Sequence, residues 1–311
     1  MTATSYRGLI EGALLLAVWL LLAIITAFTP IGLASALLLP VPVVVLMVRQ
    51  GEGPTALLIA LTFVTPLFLG IDLPRTLIMA LIAALPGLAL GFGYRRGLQP
   101  TVIFALGLGG NIFAVFLLMN LLSLLFGLNV VSELLEVIRQ LSQLVVQALE
   151  SIQQLPTQGL ERFIEDWPLL QEGAVFLIPG IILMALTAIT FLMLNICQMV
   201  LRRLGVDIEL FPAFAAWRFG DWYLWLFVFA LFLRFVAWRW HPVFMILGYN
   251  TFSPLFYGMV IQGMAVLYWW LKIIPWKPVR VLPLFTVVFP FVFMLFSLVG
   301  MADFLFNFRR L

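Results

Sequence analysis

Long apolar stretches recur from one end of the chain to the other, and no other feature restricts its fold so tightly. Crossing a hydrocarbon core about 30 Å thick takes roughly 20 apolar residues in a helix rising about 1.5 Å per residue. Segments that meet or approach this length are Leu14–Phe28, Ile31–Val48, Thr55–Gly70, Leu77–Tyr94, Thr101–Leu125, Ala174–Val200, Trp222–Ala237, Val243–Leu271 and Val281–Met301. The pattern describes an all-α, polytopic transmembrane helix bundle of about nine spans.

Composition bears on what this excludes. The chain is 64% hydrophobic and 10% charged, where a soluble domain holds about 45–50% and about 25%. Neither a water-soluble domain nor a disordered chain fits. The 17 Lys+Arg against 14 Asp+Glu are too balanced and too scattered for a nucleic-acid-binding surface. A lone Cys197 allows no intrachain disulfide, and a lone His241 rules out a metal site made of several imidazoles. No cleavable signal is expected, because no small-residue cleavage pattern follows a basic start.

Short cytoplasmic loops carry an excess of Lys and Arg. With the N-terminus inside, Arg49, Arg95, Arg96, Arg202, Arg203, Arg218, Lys272, Lys277 and Arg280 share one side, and Asp72 and Arg75 lie on the other. Nine spans put Arg309 and Arg310 outside, against that rule, unless the tail lies along a surface. The chain then divides into a five-span N-terminal bundle (1–127), an outer segment (128–172) and a C-terminal bundle of about four spans (173–311).

The outer segment is amphipathic. Val131, Ile138, Val145 and Ile152 recur every seven residues, with Leu134, Leu141, Ala148 and Leu155 three residues later. Glu133, Glu136, Arg139, Gln140, Gln143, Gln147 and Glu150 cover the other face. Pro156 and Gly159 break the helix before a shorter one with Leu160, Phe163, Ile164 and Trp167 on one face, so the pair reads as an extramembrane helical hairpin. Two readings stand: the stripe packs on its hairpin partner or in the headgroup layer, or it docks another subunit. The hairpin is acidic, which disfavours a purely lipid-binding role.

Polar groups in hydrocarbon are costly unless paired, so each is a candidate functional residue. Asn250, Ser253 and Tyr257 share one narrow face of the eighth span, and Thr187, Asn195 and Gln198 share one face of the sixth. The fifth span has Gly107, Gly109, Gly110 and Asn111. Candidate ligand contacts are therefore Asn111, Asn195, Gln198, Asn250, Ser253 and Tyr257. The competing reading is interhelical hydrogen bonding that merely holds the bundle together. The sequence pattern places Asn250, Ser253 and Tyr257 toward the bundle interior, near Asn195 and Gln198, because an unpaired amide at lipid is penalised. Arg234 is expected to snorkel toward the outer interface near Arg239, with Asp303 as another partner. Trp217, Trp222, Trp225, Trp238 and Trp240 fit interfacial anchoring, and His241 sits among them.

Two segments carry a family resemblance. Phe211-Pro-Ala-Phe-Ala-Ala-Trp-Arg-Phe-Gly-Asp221-Trp222 precedes a span, and the tail reads Gly300-Met-Ala-Asp303-Phe-Leu-Phe-Asn-Phe308-Arg309. With Leu-Leu-Leu-Pro40-Val-Pro42 and the long polar insert, the chain resembles the YybS-like bacterial membrane proteins, although Asn307 stands where that pattern has an acidic residue. The first half of that family resembles the substrate-binding S components of energy-coupling-factor transporters. Those are six-helix bundles that dock on a coupling protein through a small-xxx-small element in the first helix, and Ala13 and Ala17 occupy the matching place. This resemblance implies a bacterial cytoplasmic membrane, a thylakoid being the alternative, and the loop charges set the N-terminus cytoplasmic and residues 128–172 outside.

There is no Walker lysine motif, His-Glu-x-x-His, Cys-x-x-Cys or Gly-x-Ser-x-Gly, and no enzyme is expected. The sequence points to no particular cofactor and to no metal. Two functions remain. One is a solute-binding or transport subunit that depends on partner subunits. The other is a non-transporting scaffold or assembly factor that binds membrane proteins through Ala13, Ala17 and the stripe Val131, Ile138, Val145 and Ile152. Expected partners are the lipid bilayer and membrane-protein subunits, not nucleic acid.

Overall fold

A computed structural model of the chain describes residues 3–130, 132–133, 136–137, 140, 143–144, 147, 167–236, 239, 242–271 and 290–309. Regular structure among them is entirely helical. Five helices are long and apolar enough to cross a membrane: Gly8–Phe28, Leu73–Arg95, Pro100–Phe126, Ile178–Arg203 and Ile246–Leu271. Ala34–Arg49, Glu52–Phe68, Trp222–Phe235 and Phe293–Phe306 are shorter apolar helical segments. Each hydropathy segment coincides with one of these, but the second, third, seventh and the described part of the ninth fall short of a bilayer.

The chain forms two compact units, Met1–Ile138 with Ala185–Phe211, and Arg139–Met184 with Pro212–Leu311. The units are not the consecutive blocks that loop charges led us to expect. The sixth hydropathy span, assigned above to the C-terminal bundle, gives its second half to the N-terminal unit. It is held there by packing that charge patterns do not report.

The first unit contains α1 (Ala3–Phe28), α2 (Gly32–Ala36), α3 (Pro40–Arg49), α4 (Glu52–Thr62), α5 (Thr65–Phe68), α6 (Leu73–Arg95), α7 (Pro100–Phe126) and the second half of α8 (Trp167–Arg203). Proline explains why two expected spans are broken. A proline ring clashes with the carbonyl four residues earlier and has no N–H to continue the ladder. Pro40 therefore ends α2 at Ala36, and Pro66 ends α4 at Thr62. Across the turn that precedes α2, the hydroxyls of Thr26 and Ser35 bond at 2.7 Å and fasten α2 to α1.

Helix α3 is the core of this unit. Val43, Val44, Val45, Leu46 and Met47 are all buried. Trp19 and Ala23 of α1 and Met79 and Ala83 of α6 join one cluster with Leu39, Val43 and Leu46. Gly87 and Gly91 let α6 approach, since a Cβ at either would sit 2.8 Å from the Cβ of Val43 or Met47. Those pairings also make α3 and α6 parallel. Gly8 faces Gln50 and Gly12 faces Leu46, so α1 runs against α3. Tyr94 reaches the Leu194 carbonyl, which sets α8 parallel to α6. Arg49, Arg95, Arg96, Arg202 and Arg203 consequently gather at the end of the unit where α1 begins. There Glu11 pairs with Arg49 at 2.8 Å.

The second unit is built from the first half of α8, α9 (Trp222–Phe235), α10 (Pro242–Leu271) and α11 (Pro290–Phe306), with α10 lying against α9 and α11. Helices α10 and α11 touch backbone to backbone: a Cβ on Gly263 would collide with the Phe296 carbonyl, and one on Gly300 with that of Met259. Association in lipid rests on such close packing, because burying apolar surface gains little when the solvent is itself apolar. Tyr223 stacks on Phe219 with centroids 4.4 Å apart and donates to the Leu255 carbonyl at 3.0 Å.

Within the insert, the described positions between 130 and 147 are helical, and Glu133, Glu136, Gln140, Gln143 and Gln147 are exposed together with Val137 and Leu144. The stripe residues Val131, Ile138, Val145 and Ile152 and the rest of the hairpin through residue 166 lie outside the described residues. Trp167, placed above in the hairpin's second helix, is helical and belongs to α8, which is described from Trp167 to Arg203.

Candidate functional site

The polar residues of α8 separate into a satisfied group and an unsatisfied one. Asn111 of α7 donates to Thr190 Oγ1 at 2.9 Å and lies 3.7 Å from Met193 Sδ, and Thr190 donates in turn to the Leu186 carbonyl at 2.7 Å. This chain is buried and closed, with the amide acting as interhelical glue.

Two turns further on, α8 presents a different surface. Gln198 is 5% exposed, and its Nε2 has no hydrogen-bond acceptor. Tyr94 interacts with the Gln198 side chain and directs its hydroxyl to the Leu194 carbonyl at 3.5 Å. Asn195 is exposed and donates to Phe191 of its own helix at 2.7 Å. Asn195, Gln198, Met199, Arg202, Arg203 and Leu210 together line an open pocket of about 530 Å³.

The chain builds this pocket by turning back on itself. Gly205, at φ +75°, ends α8: its amide bonds the Arg202 carbonyl and the Val206 amide bonds that of Leu201, both at 3.0 Å. This αL termination satisfies carbonyls that a helix end otherwise leaves open. Residues 206–211 then return beside α8, and the Phe211 ring seats edge-on against Phe191 and Phe104, with centroids 5.8 and 6.2 Å apart. Neither Arg202 nor Arg203 has a carboxylate partner among the described residues.

In the second unit, Asn250 is half-buried. Its Oδ1 accepts from the Gly180 amide at 2.8 Å and its Nδ2 donates to the Ile246 carbonyl at 3.0 Å. Pro179 interrupts the α8 ladder at this point, and the next amide goes to the asparagine. Asn250 thus reaches the expected helix, but at Gly180, fifteen residues before Asn195. Ser253 is half-buried. Tyr257 is 37% exposed, its ring set edge-on to Phe293 and Phe256. The pocket is therefore lined by Asn195 and Gln198 alone of the six candidate ligand contacts.

A second polar cluster joins the two segments that carried the family resemblance. Asp303 and Arg309 are both buried and pair at 2.7 Å. Gln262 donates to Asp303 Oδ2 at 3.2 Å and accepts the Phe219 amide at 3.1 Å, while Arg309 donates to the Ala215 carbonyl at 2.9 Å. Arg218 donates to Asn307 Oδ1 at 2.7 Å. Asn307 adopts φ +45°, a left-handed conformation that asparagine tolerates better than most residues. The tail is thus clasped inward, not laid along a surface. Arg234 does not pair with Asp303: its guanidinium stands 3.5 Å above the Tyr249 ring, a cation–π contact that holds it half-buried. His241, Trp238 and Trp240 lie outside the described residues.

Sequence reasoning passed over Gln262, an amide in the same apolar helix as Asn250, and treated Arg202 and Arg203 only as markers of orientation. A polar residue amid an apolar run was the available signal for the first. The pocket depends on the return of residues 206–211, which no local pattern announces.

Apolar helices presenting bare apolar faces, with buried polar clasps between them, define a polytopic helical membrane protein. The chain belongs to the DUF2232 family of predicted membrane proteins, whose model matches residues 15–304. No curated protein and no solved structure matches it.

Proposed function

We propose that the protein is the solute-binding subunit of a membrane transport assembly, with its binding site in the pocket at Asn195 and Gln198. The observation that carries this reading is the open pocket of about 530 Å³ that Asn195 and Gln198 line beside two arginines without carboxylate partners among the described residues. Partner subunits are required because the chain carries no nucleotide motif. Ala13 and Ala17 are exposed on α1, where the S-component-like reading needs a docking face. The shared end of the arginines and the start of α1 supports a cytoplasmic N-terminus and an outer 128–172 segment in a bacterial cytoplasmic membrane. The protein performs no catalysis of its own in this reading.

Native mass spectrometry after purification in mild detergent tests it. A small molecule and partner subunits co-purify with the wild type, and Gln198→Leu loses the small molecule while keeping the subunits. Retention of the same adduct by Gln198→Leu, or no adduct in either protein, overturns the reading. The scaffold alternative draws on the satisfied state of Asn111 and Asn250, which work as glue. It requires that Ile138→Asp with Val145→Asp release co-purifying subunits from a membrane domain that is still folded.

A further inference from the structure

We infer that the pocket at the end of α8 binds a phosphoryl oxyanion, presented either by a lipid headgroup or by a free phosphate compound. The inference rests on the solute-binding reading and adds the chemical class of the ligand. Arg202 and Arg203 place two permanent positive charges on the pocket wall, without carboxylate partners among the described residues. Guanidinium groups match phosphate oxygens two at a time. Gln198 forms part of the same wall, with its Nε2 buried beneath it. A helix C-terminus ordinarily repels anions, but here the Gly205 turn ties the Leu201 and Arg202 carbonyls to following amides. The ligand also lies on the flank of the helix, beside Asn195, and not at its tip. Asp207 and Glu209, the nearest acidic residues in sequence, are exposed and do not line the pocket. Met199 and Leu210 supply an apolar margin for the organic part of the ligand.

The full-length protein in maltoside micelles, which contain no phosphate, provides the test. One arm titrates glycerol phosphate and the other adds phosphatidylglycerol, each against glycerol and matched sodium chloride. The readout is the thermal midpoint followed by tryptophan fluorescence. Saturable stabilisation in one arm identifies the source, and Arg202→Gln with Arg203→Gln weakens the apparent affinity by about 10- to 100-fold. Both arginines are exposed, so this variant keeps its fold. Gln198→Leu changes the pocket wall from amide to apolar, keeps the ligand-free midpoint, and reduces the stabilisation. No saturable effect in either arm, or an effect unchanged by the arginine variant, overturns the oxyanion assignment. If a neutral co-purifying molecule is lost by Gln198→Leu but kept by the arginine variant, the oxyanion assignment alone fails. If no Gln198-dependent ligand is found, both readings fail.

Discussion

Replacing Arg309 with methionine is expected to destabilise the second unit far more than replacing it together with its partner. Arg309 gives Asp303 its 2.7 Å ion pair and caps the Ala215 carbonyl. Without it, the buried carboxylate keeps only Gln262, at 3.2 Å. Stranding one member of a buried ion pair costs about 3–5 kcal/mol, or two to four powers of ten in the unfolding equilibrium at about 1.4 kcal/mol each. Asp303→Asn alone strands the guanidinium and carries a similar cost. Combining the two substitutions removes both charges and leaves only the Ala215 carbonyl and an amide pair to satisfy, for about 1–3 kcal/mol. The singles would sum to about 6–10 kcal/mol, so the cycle should show a coupling energy of at least 3 kcal/mol. Unfolding in mixed micelles, driven by dodecyl sulfate and followed by the fluorescence of the 10 tryptophans, measures each corner. Additivity within about 0.5 kcal/mol would refute the argument that the pair works as a closed unit.

Three further outcomes are expected. Asn111→Leu loses one interhelical hydrogen bond, worth about 0.6 kcal/mol in bundles, and leaves ligand retention unchanged, in contrast to Gln198→Leu; equal losses of ligand would erase the distinction between glue and site. Gly300→Leu forces apart helices that meet backbone to backbone, and should lower the thermal midpoint more than Gly109→Leu, whose Cβ meets nothing within 4 Å. A cysteine at Gln154 should react with an impermeant reagent in intact cells, and one at Gly205 only after lysis, with little background from Cys197 because it is buried; the reverse pattern inverts the orientation.

Hydropathy located every apolar helical segment because lipid selects residue type over many positions at once. It overestimated the lengths of the second and third spans because averaging hides a single proline: Pro40 and Pro66 are apolar, yet each stops the preceding helix four residues earlier. Burial of Arg309 was invisible for a different reason. Its charge suggested solvent, and its partners, Asp303, Gln262 and Ala215, come from separate stretches of the chain. Asn195 and Gln198 were legible as polar residues on one face, but their neighbours Arg202 and Arg203 became part of a pocket only through the return of residues 206–211. Asn250 illustrates the remaining gap. Its inward placement toward the sixth span follows from cost, but its level along that span depends on Pro179, which makes the Gly180 amide available.

The central place of α3 has a consequence for how the chain is made. At ten residues the helix is about 15 Å long, half a bilayer, and it is rich in valine, a poor helix former outside a packed environment. It cannot hold a transmembrane position alone. Its partner surface, around Gly87 and Gly91, follows 38 residues after Arg49, which at about 5–20 residues per second means a wait of roughly 2–8 s during synthesis. Through that interval the segment that becomes the centre of the unit is the part least able to stay in the membrane unaided. An insertion machinery that shelters the first three hydropathy segments until the fourth emerges would serve this chain better than one that releases each segment to lipid in turn.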